Sequence, residues 1–256
     1  AESVASNAVI FPAAPAAPVV SNTCNTAITV PALTAVTGFT AQYSFDNGST
    51  WGTSPVSPTT LGCYTIKTRY VTNACGTILA GTVAPAACSE SVASNAVIFP
   101  AAPAAPVLGT NTCNTAIVVP TVPSVPGFTA QYSFNNGSTW GTSATSSTTP
   151  GCYTIRTRYV TAATCGTIIA GTTAPAACAE SVASNAVIFP AAPVITMPAN
   201  TCMSNFALPV VATVPGFSVE YSINSGPFTA NPMTSMTPGC YTIIARYVLA
   251  STCGNT

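Results

Sequence analysis

The sequence predicts an all-β chain built as a tandem array of β-sandwich modules, and three observations carry that expectation. A fourteen-residue stretch, ESVASNAVIFPAAP, occurs unchanged at residues 2–15, 90–103 and 180–193, and a fixed period of this length marks a modular array. Between the copies, short runs alternate apolar and polar residues and are punctuated by Asn/Gly turns and Ser/Thr/Pro loops, the pattern of half-buried strands. Four cysteines recur in each module, with the third module showing three before the chain stops at Thr256. The expected divisions are a joint at 1–18, module 1 at 19–88, a joint at 89–106, module 2 at 107–178, a joint at 179–195 and module 3 at 196–256.

In the joint, Ala8, Val9, Ile10 and Phe11 form a short β-prone run. The PAAPAAP that follows can enter neither a helix nor a central strand, so a polyproline-like, semi-rigid spacer is expected. The module body opens with AITVPAL at 27–33, a strand whose Pro31 suggests an edge or a bulge. In residues 38–51, Phe39, Ala41, Tyr43 and Phe45 share one side and Thr40, Gln42 and Ser44 the other, which reads as a half-buried strand. Asp46-Asn47-Gly48 then signals a hairpin turn that needs positive φ; Asn135-Asn136-Gly137 and Asn224-Ser225-Gly226 are its counterparts. The clearest strand is CYTIKTRYV, matched by CYTIRTRYV and CYTIIARYV, with Tyr64, Ile66, Thr68 and Tyr70 on one face. TILAGTVA closes the body, forming a hairpin with it near residues 73–76.

Composition excludes several functions. Charged residues make up 4% of the chain, with five basic and five acidic side chains and no His. No basic patch is available for nucleic acid, nor a polybasic segment for a lipid surface. The apolar fraction is 48%, which is too high for ordinary disorder. The longest apolar run is broken by Pro12, Pro15 and Pro18 and cannot cross a bilayer as a helix. The chain opens without a basic leader and closes at an arbitrary point of the repeat, so a piece of something longer is expected.

The eleven cysteines are too widely spaced for zinc knuckles. An even set per small module points to disulfides and an oxidising, extracellular compartment. If the last two strands of a module form a hairpin, Cys63 and Cys88 lie at one end and Cys75 at the other, leaving Cys24 for Cys75. The expected bridges are therefore Cys24–Cys75, Cys63–Cys88, Cys113–Cys165, Cys152–Cys178 and Cys202–Cys253, each contributing about 3–4 kcal/mol in the chain-entropy model.

The recurring pattern YS-[FI]-[DN]-x-G … PGCYTI-x-x-RYV … CG resembles the repeats of the very large surface adhesins of Bacteroidetes, the SprB type used in gliding. The resemblance covers each module body. It implies Ig-like sandwiches, export by the type IX secretion system and a place at the cell surface. Two departures, the extra cysteines (Cys63 stands within the motif) and the unchanged joint, favour a stiff, stapled fibre over a flexible tether.

No catalytic constellation is expected. Ser–His and Cys–His chemistry needs a histidine, Asp46 is the only aspartate, and each body holds at most one acid where glycoside hydrolysis needs two. No cofactor or metal site is indicated. Trp51 and Trp140, with Phe228 near the same place, read either as a glycan-stacking platform or as packing of a hairpin end, and packing is favoured. Arg69, Arg158 and Arg246 recur at one site. Glu220 is a candidate partner for Arg246, while Gln42 and Gln131 stand at that position elsewhere, and a guanidinium over Tyr is the expected role. Asn47 and Asn136 lie in glycosylation sequons, but turn chemistry explains them. The expected function is a spacer segment of an extracellular adhesin or fibre that spans distance and supports attachment, with neighbouring modules, further copies, or a surface glycan or substratum as partners. The alternative is a self-assembling filament of intertwined copies. A carbohydrate-binding array is weaker. The module bodies have drifted while the joint has not, so Ala8–Phe11 and its copies are expected to be an added edge strand on a neighbouring module or a second chain.

Overall fold

The computed structural model of the protein describes residues 8–73, 81–165, 171–196, 199, 202, 205–232 and 239–250. Among them it is all-β, with ten strands, three short 3-10 turns and no α-helix. Among the described residues no helix is long and apolar enough to cross a membrane.

The strands fall into three sheets. In the first, β1 (Thr23–Cys24), β2 (Phe39–Ser44), β3 (Gly62–Thr72) and β4 (Ser94–Phe99) stand in the order β1-β4-β3-β2. β5 (Thr112–Cys113), β6 (Phe128–Ser133), β7 (Gly151–Thr161) and β8 (Ser184–Phe189) repeat that order as β5-β8-β7-β6. β9 (Phe217–Ile223) and β10 (Ile243–Leu249) form a two-stranded sheet. The protein divides into two compact units, one comprising 1–103, 122–130 and 158–181, the other 104–121, 131–157 and 182–256.

The alternating sequence places the strands. β2 pairs antiparallel with β3 from Phe39↔Thr72 to Ser44↔Lys67. Ile66 and Thr68, on the face expected to be buried, are fully enclosed. After β2 the chain turns through Asn47 and Gly48 at φ 60° and 91°, and Ser49 N donates to Asp46 O at 3.3 Å. Two consecutive positive φ values make a type I′ turn, whose twist matches that of the strands. In the third copy the turn has slid by one residue. Asn224 and Ser225 take the positive φ values, and Gly226 closes the turn by donating to Ile223 O at 2.9 Å. The shared glycine therefore serves a different need there: a Cβ on Gly226 would sit 3.0 Å from Ile223 O.

Two expected strands are reduced. Residues 27–33 make only one isolated bridge, Thr29↔Val56, although Ile28 and Val30 point inward and are buried. Pro31 has no N–H for a ladder, and Ser57 Oγ supplies the acceptor for Ile28 N at 2.9 Å. Of the closing strand, residues 81–84 are described, and Val83 pairs with Val71. A 3-10 turn at Ala86–Cys88 then follows Pro85.

The repeated stretch departs most from expectation. Its second and third copies are β4 and β8, and neither is an edge. β4 lies between β1, to which it is parallel, and β3, to which it is antiparallel. It completes the sheet of the module that precedes it in sequence. Ala96 and Ile98 enter one core with Ile28, Val30, Tyr43 and Ile66. Val97 and Phe99 face a second core with Phe128, Tyr159 and Cys178 of the following module. Four consecutive apolar residues are what a strand buried on both faces requires.

A candidate assembly site at the repeated strand

The slot that holds β4 is built from three parts of module 1. The NTCN segment forms one wall. Asn22 Oδ1 accepts from Val97 N at 3.0 Å, and Asn25 N, at φ 50°, donates to Phe99 O at 2.9 Å. β3 forms the other wall, in the register Gly62↔Ile98, Cys63↔Val97 and Tyr64↔Ala96. The entrance is fixed by Ser91, whose Oγ accepts from Thr68 N and whose N donates to Thr68 O, both at 2.9 Å. Glu90 adds an ion pair to Lys67 at 3.1 Å. It also opposes, through its charge, the fall in pKa that burial imposes on Arg69. Burying Val97, Ile98 and Phe99 is worth on the order of 6 kcal/mol.

The second slot repeats the geometry. Asn111 Oδ1 accepts from Val187 N at 3.1 Å, and Asn114 N, also at φ 50°, donates to Phe189 O at 2.9 Å. Each copy's phenylalanine also stacks on the first residue of the next module's hairpin. The pairs Phe11–Phe39, Phe99–Phe128 and Phe189–Phe217 have ring centroids 5.5, 5.4 and 5.5 Å apart.

Two disulfides straddle β4, and they correct the expected connectivity. Cys24 is bonded to Cys178 and Cys63 to Cys165, with Cα separations of 6.0 and 5.5 Å. Cys24↔Phe99 and Cys63↔Val97 are cross-strand neighbours, so both cysteines share the outer face of β4, where module 2 packs. Cys63–Cys88 fails because Cys63 is taken by Cys165, and the expected strand end at Cys88 is a 3-10 turn, Ala86–Cys88. Cys88 is free. Cys24–Cys75 fails because Cys24 is taken by Cys178; Cys75 lies outside the described residues. Cys113–Cys165 and Cys152–Cys178 fail for the same reason, and Cys113 is free and exposed. Cys152 is disulfide-bonded. Cys202–Cys253 fails because Cys202 is free, and Cys253 lies outside the described residues. Cys240 is free too. For loops of 154 and 102 residues the chain-entropy model gives each observed bond about 5 kcal/mol on its own.

No family model matches the chain, and no curated protein does.

The first copy of the strand, Ala8, Val9, Ile10 and Phe11, is not a strand. Ala8 and Ile10 are exposed, while Val9 and Phe11 are half-buried. The slot it would match, in module 3, is unfilled among the described residues. Gly239–Thr242, the counterpart of the β3 segment that pairs with β4, has no strand structure, and β10 pairs only with β9. Phe206, Leu208 and Tyr221 are half-buried there, whereas their counterparts Ile28, Val30 and Tyr43, and Ile117, Val119 and Tyr132, are buried.

Trp51 is engaged inside its own module. Its Nε1 donates to Gly48 O at 2.9 Å, and the Arg69 guanidinium lies 4.1 Å from the ring centroid. The stacking partner is thus Trp51 and not a tyrosine, with Arg69 Nε donating to Gln42 at 2.9 Å. Arg246 does pair with Glu220, at 2.8 Å, and covers Phe228 at 4.0 Å. Trp140 lines a shallow groove with Tyr132, Phe134 and Tyr153. Asp46 caps its turn by accepting from Thr50 Oγ1 at 2.6 Å and Thr50 N at 2.8 Å, and these bonds hold its carboxyl at a pKa of about 2. Asn135 makes the neutral version of the same cap with Thr139.

Two signals were available for features the sequence reading missed. Cys63 alternates with Thr65 and Lys67 and so points away from its own module's core. Asn22 and Asn111 each stand two residues before the first cysteine of their module, as backbone acceptors would beside a short strand.

Proposed function

We propose that the chain is a spacer segment of a long extracellular surface fibre or adhesin, made of Ig-like sandwich modules in tandem and of the SprB-like kind its motifs resemble. The observation that carries the reading is β4, which completes the sheet of one module while its other face is the packing surface of the next. A module joined in this way is held by a strand, two disulfides and an aromatic stack, an arrangement suited to spanning distance under load and not to enclosing a substrate. The disulfides favour an oxidising compartment. An uncharged Thr/Ser/Asn surface keeps the fibre insensitive to salt. The glycan-platform reading is weakened by the engagement of Trp51 with Arg69 and Gly48.

The test is labelling of intact cells of the source organism with antibodies raised against module 1, combined with an attachment assay after deletion of the gene. Surface labelling removed by external protease, together with loss of attachment, is the expected result. Labelling only after cell lysis would overturn the reading.

A further inference from the structure

We infer that the groove lined by Trp140 in module 2 is a binding site for an uncharged sugar chain.

The groove holds about 400 Å³, within the ~300–1,000 Å³ of small-ligand sites. Its floor is aromatic, with Phe134, Trp140 and Tyr153 all half-buried. Three part-exposed rings offer an apolar bed for the C–H face of a pyranose, and they do not depend on a single indole as an isolated Trp would. Its rim is polar, with Asn135, Thr145 and Ser147 exposed. Among the described residues no charged side chain lines it. Rings with a few placed hydroxyl and amide groups suit a neutral ligand rich in hydroxyls.

Two rim groups have hydrogen bonds left to make. Asn135 gives one N–H to Thr139 Oγ1 at 2.8 Å, and its second has no partner among the described residues. Thr145 uses its backbone on Ser143 Oγ, donating through N and accepting through O, both at 3.2 Å. Its own Oγ1 makes no hydrogen bond among the described residues. The wall that carries these groups is fixed in advance. Gly141 and Tyr132 exchange N–H to C=O bonds of 2.7 and 3.0 Å, Val119 N donates to Ala144 O at 2.8 Å, and Ser146 N donates to Ile117 O at 3.0 Å. A preformed wall lowers the ordering cost of binding.

Module 1 carries the same three rings, Phe45, Trp51 and Tyr64, under a different rim. Val56 and Pro58 stand where module 2 has Thr145 and Ser147, and the carboxylate of Asp46 stands at Asn135. Ser147 Oγ lies 2.9 Å from Tyr153 OH, a bond that Pro58 cannot make. The hydroxyls that a sugar needs are therefore on module 2.

The site names a ligand for the adhesin reading and rests on that reading only for where the sugar is met. Its test uses the purified 256-residue chain, whereas cell labelling reads location, so each can fail alone. Cellohexaose, laminarihexaose and mannohexaose are titrated by calorimetry, with oligogalacturonate as the acidic control. At least one neutral hexasaccharide should bind at a single site, with affinity unchanged between low and high salt, and oligogalacturonate should not bind. Thr145→Val with Ser147→Pro gives module 2 the rim of module 1. It should weaken binding at least about tenfold with the thermal melt unchanged. Trp51→Phe leaves Trp140 as the remaining indole, and its fluorescence should shift as the sugar binds. Binding of none of the three neutral sugars overturns the proposal. So does binding that survives the rim exchange, that leaves Trp140 fluorescence unmoved, or that favours oligogalacturonate.

Discussion

The same four residues, Ala-Val-Ile-Phe, occupy two opposite environments. In the second and third copies Ile98 and Ile188 are wholly enclosed, while in the first Ile10 is 93% exposed. Their flanking sequence is identical over fourteen residues, so nothing local distinguishes them. What differs is the acceptor. β4 and β8 each lie in a gap one strand wide between the NTCN segment and the long strand of a preceding module, and residues 8–11 lie in no such gap among the described residues. Module 3 shows the complementary case. β3 and β7 each run eleven residues and β10 runs seven, and its lead segment has no strand partner among the described residues. Strand structure here belongs to the joint and not to either partner alone.

Four measurements would break or sharpen that comparison. The largest effect is expected from a single substitution made twice. Ile98→Asp puts a carboxylate into a closed apolar core and should cost about 4 kcal/mol or more in urea unfolding followed by Trp fluorescence. Ile10→Asp, at the exposed copy, should change the same midpoint by less than about 0.5 kcal/mol. Equal losses would mean that the first copy is as enclosed as the second. Next come the staples. Cys63→Ser combined with Cys165→Ser should cost about 3–4 kcal/mol, whereas Cys88→Ser in the monomer should cost less than about 0.5 kcal/mol. A third, smaller effect lies in the slot wall. Asn22→Ala removes the acceptor for Val97 N and should cost about 1–2 kcal/mol. Hydrogen exchange should quicken at Val97 and not at Val187, where Asn111 is intact. The smallest concerns the turns. The carboxyl of Asp46 is lowered from 3.8 to about 2 by its bonds to Thr50, so the stabilisation it gives is present above pH 3.8 and is lost as pH falls through 2. Asp46→Asn should flatten the stability profile over that window by reproducing the Asn135 cap, and urea midpoints at pH 5 and pH 2 would show it.

Much of the β content could be read from the sequence. The alternation through Gly62–Thr72 put Ile66 and Thr68 on one face, and both are enclosed. In Phe39–Ser44 it separated the faces less well, since Tyr43 and Ser44, on opposite sides, are both buried. The Asn-Gly pair gave the hairpin, and Glu220, the candidate partner, does pair with Arg246. Connectivity could not be read in the same way. In a repeat, every cysteine has a counterpart of equal sequence in the next module, so spacing alone does not say whether Cys63 bonds within its module or beyond it. The joint was legible as a strand but not as a central one. That requires knowing that β1 and β3 stand far enough apart to admit it, a distance created by folding. The turn in module 3 slid by a residue because Asn224 and Ser225 tolerate positive φ well enough for Gly226 to serve elsewhere.

The two disulfides also decide where tension travels. Cys24 and Cys178 are joined across 154 residues, and Cys63 and Cys165 across 102. A pull applied at the two ends of this segment passes from residue 24 to residue 178 through a covalent bond. The backbone between them, including β4 and its proline-rich spacer, is held slack. Drawn straight, the 154 residues between Cys24 and Cys178 reach roughly 530 Å, and that contour length is locked away while the bonds are intact. Reduction would release it. This segment is thus far less extensible with the bonds intact than with them reduced, so the redox state of the surroundings sets how far it can be drawn out.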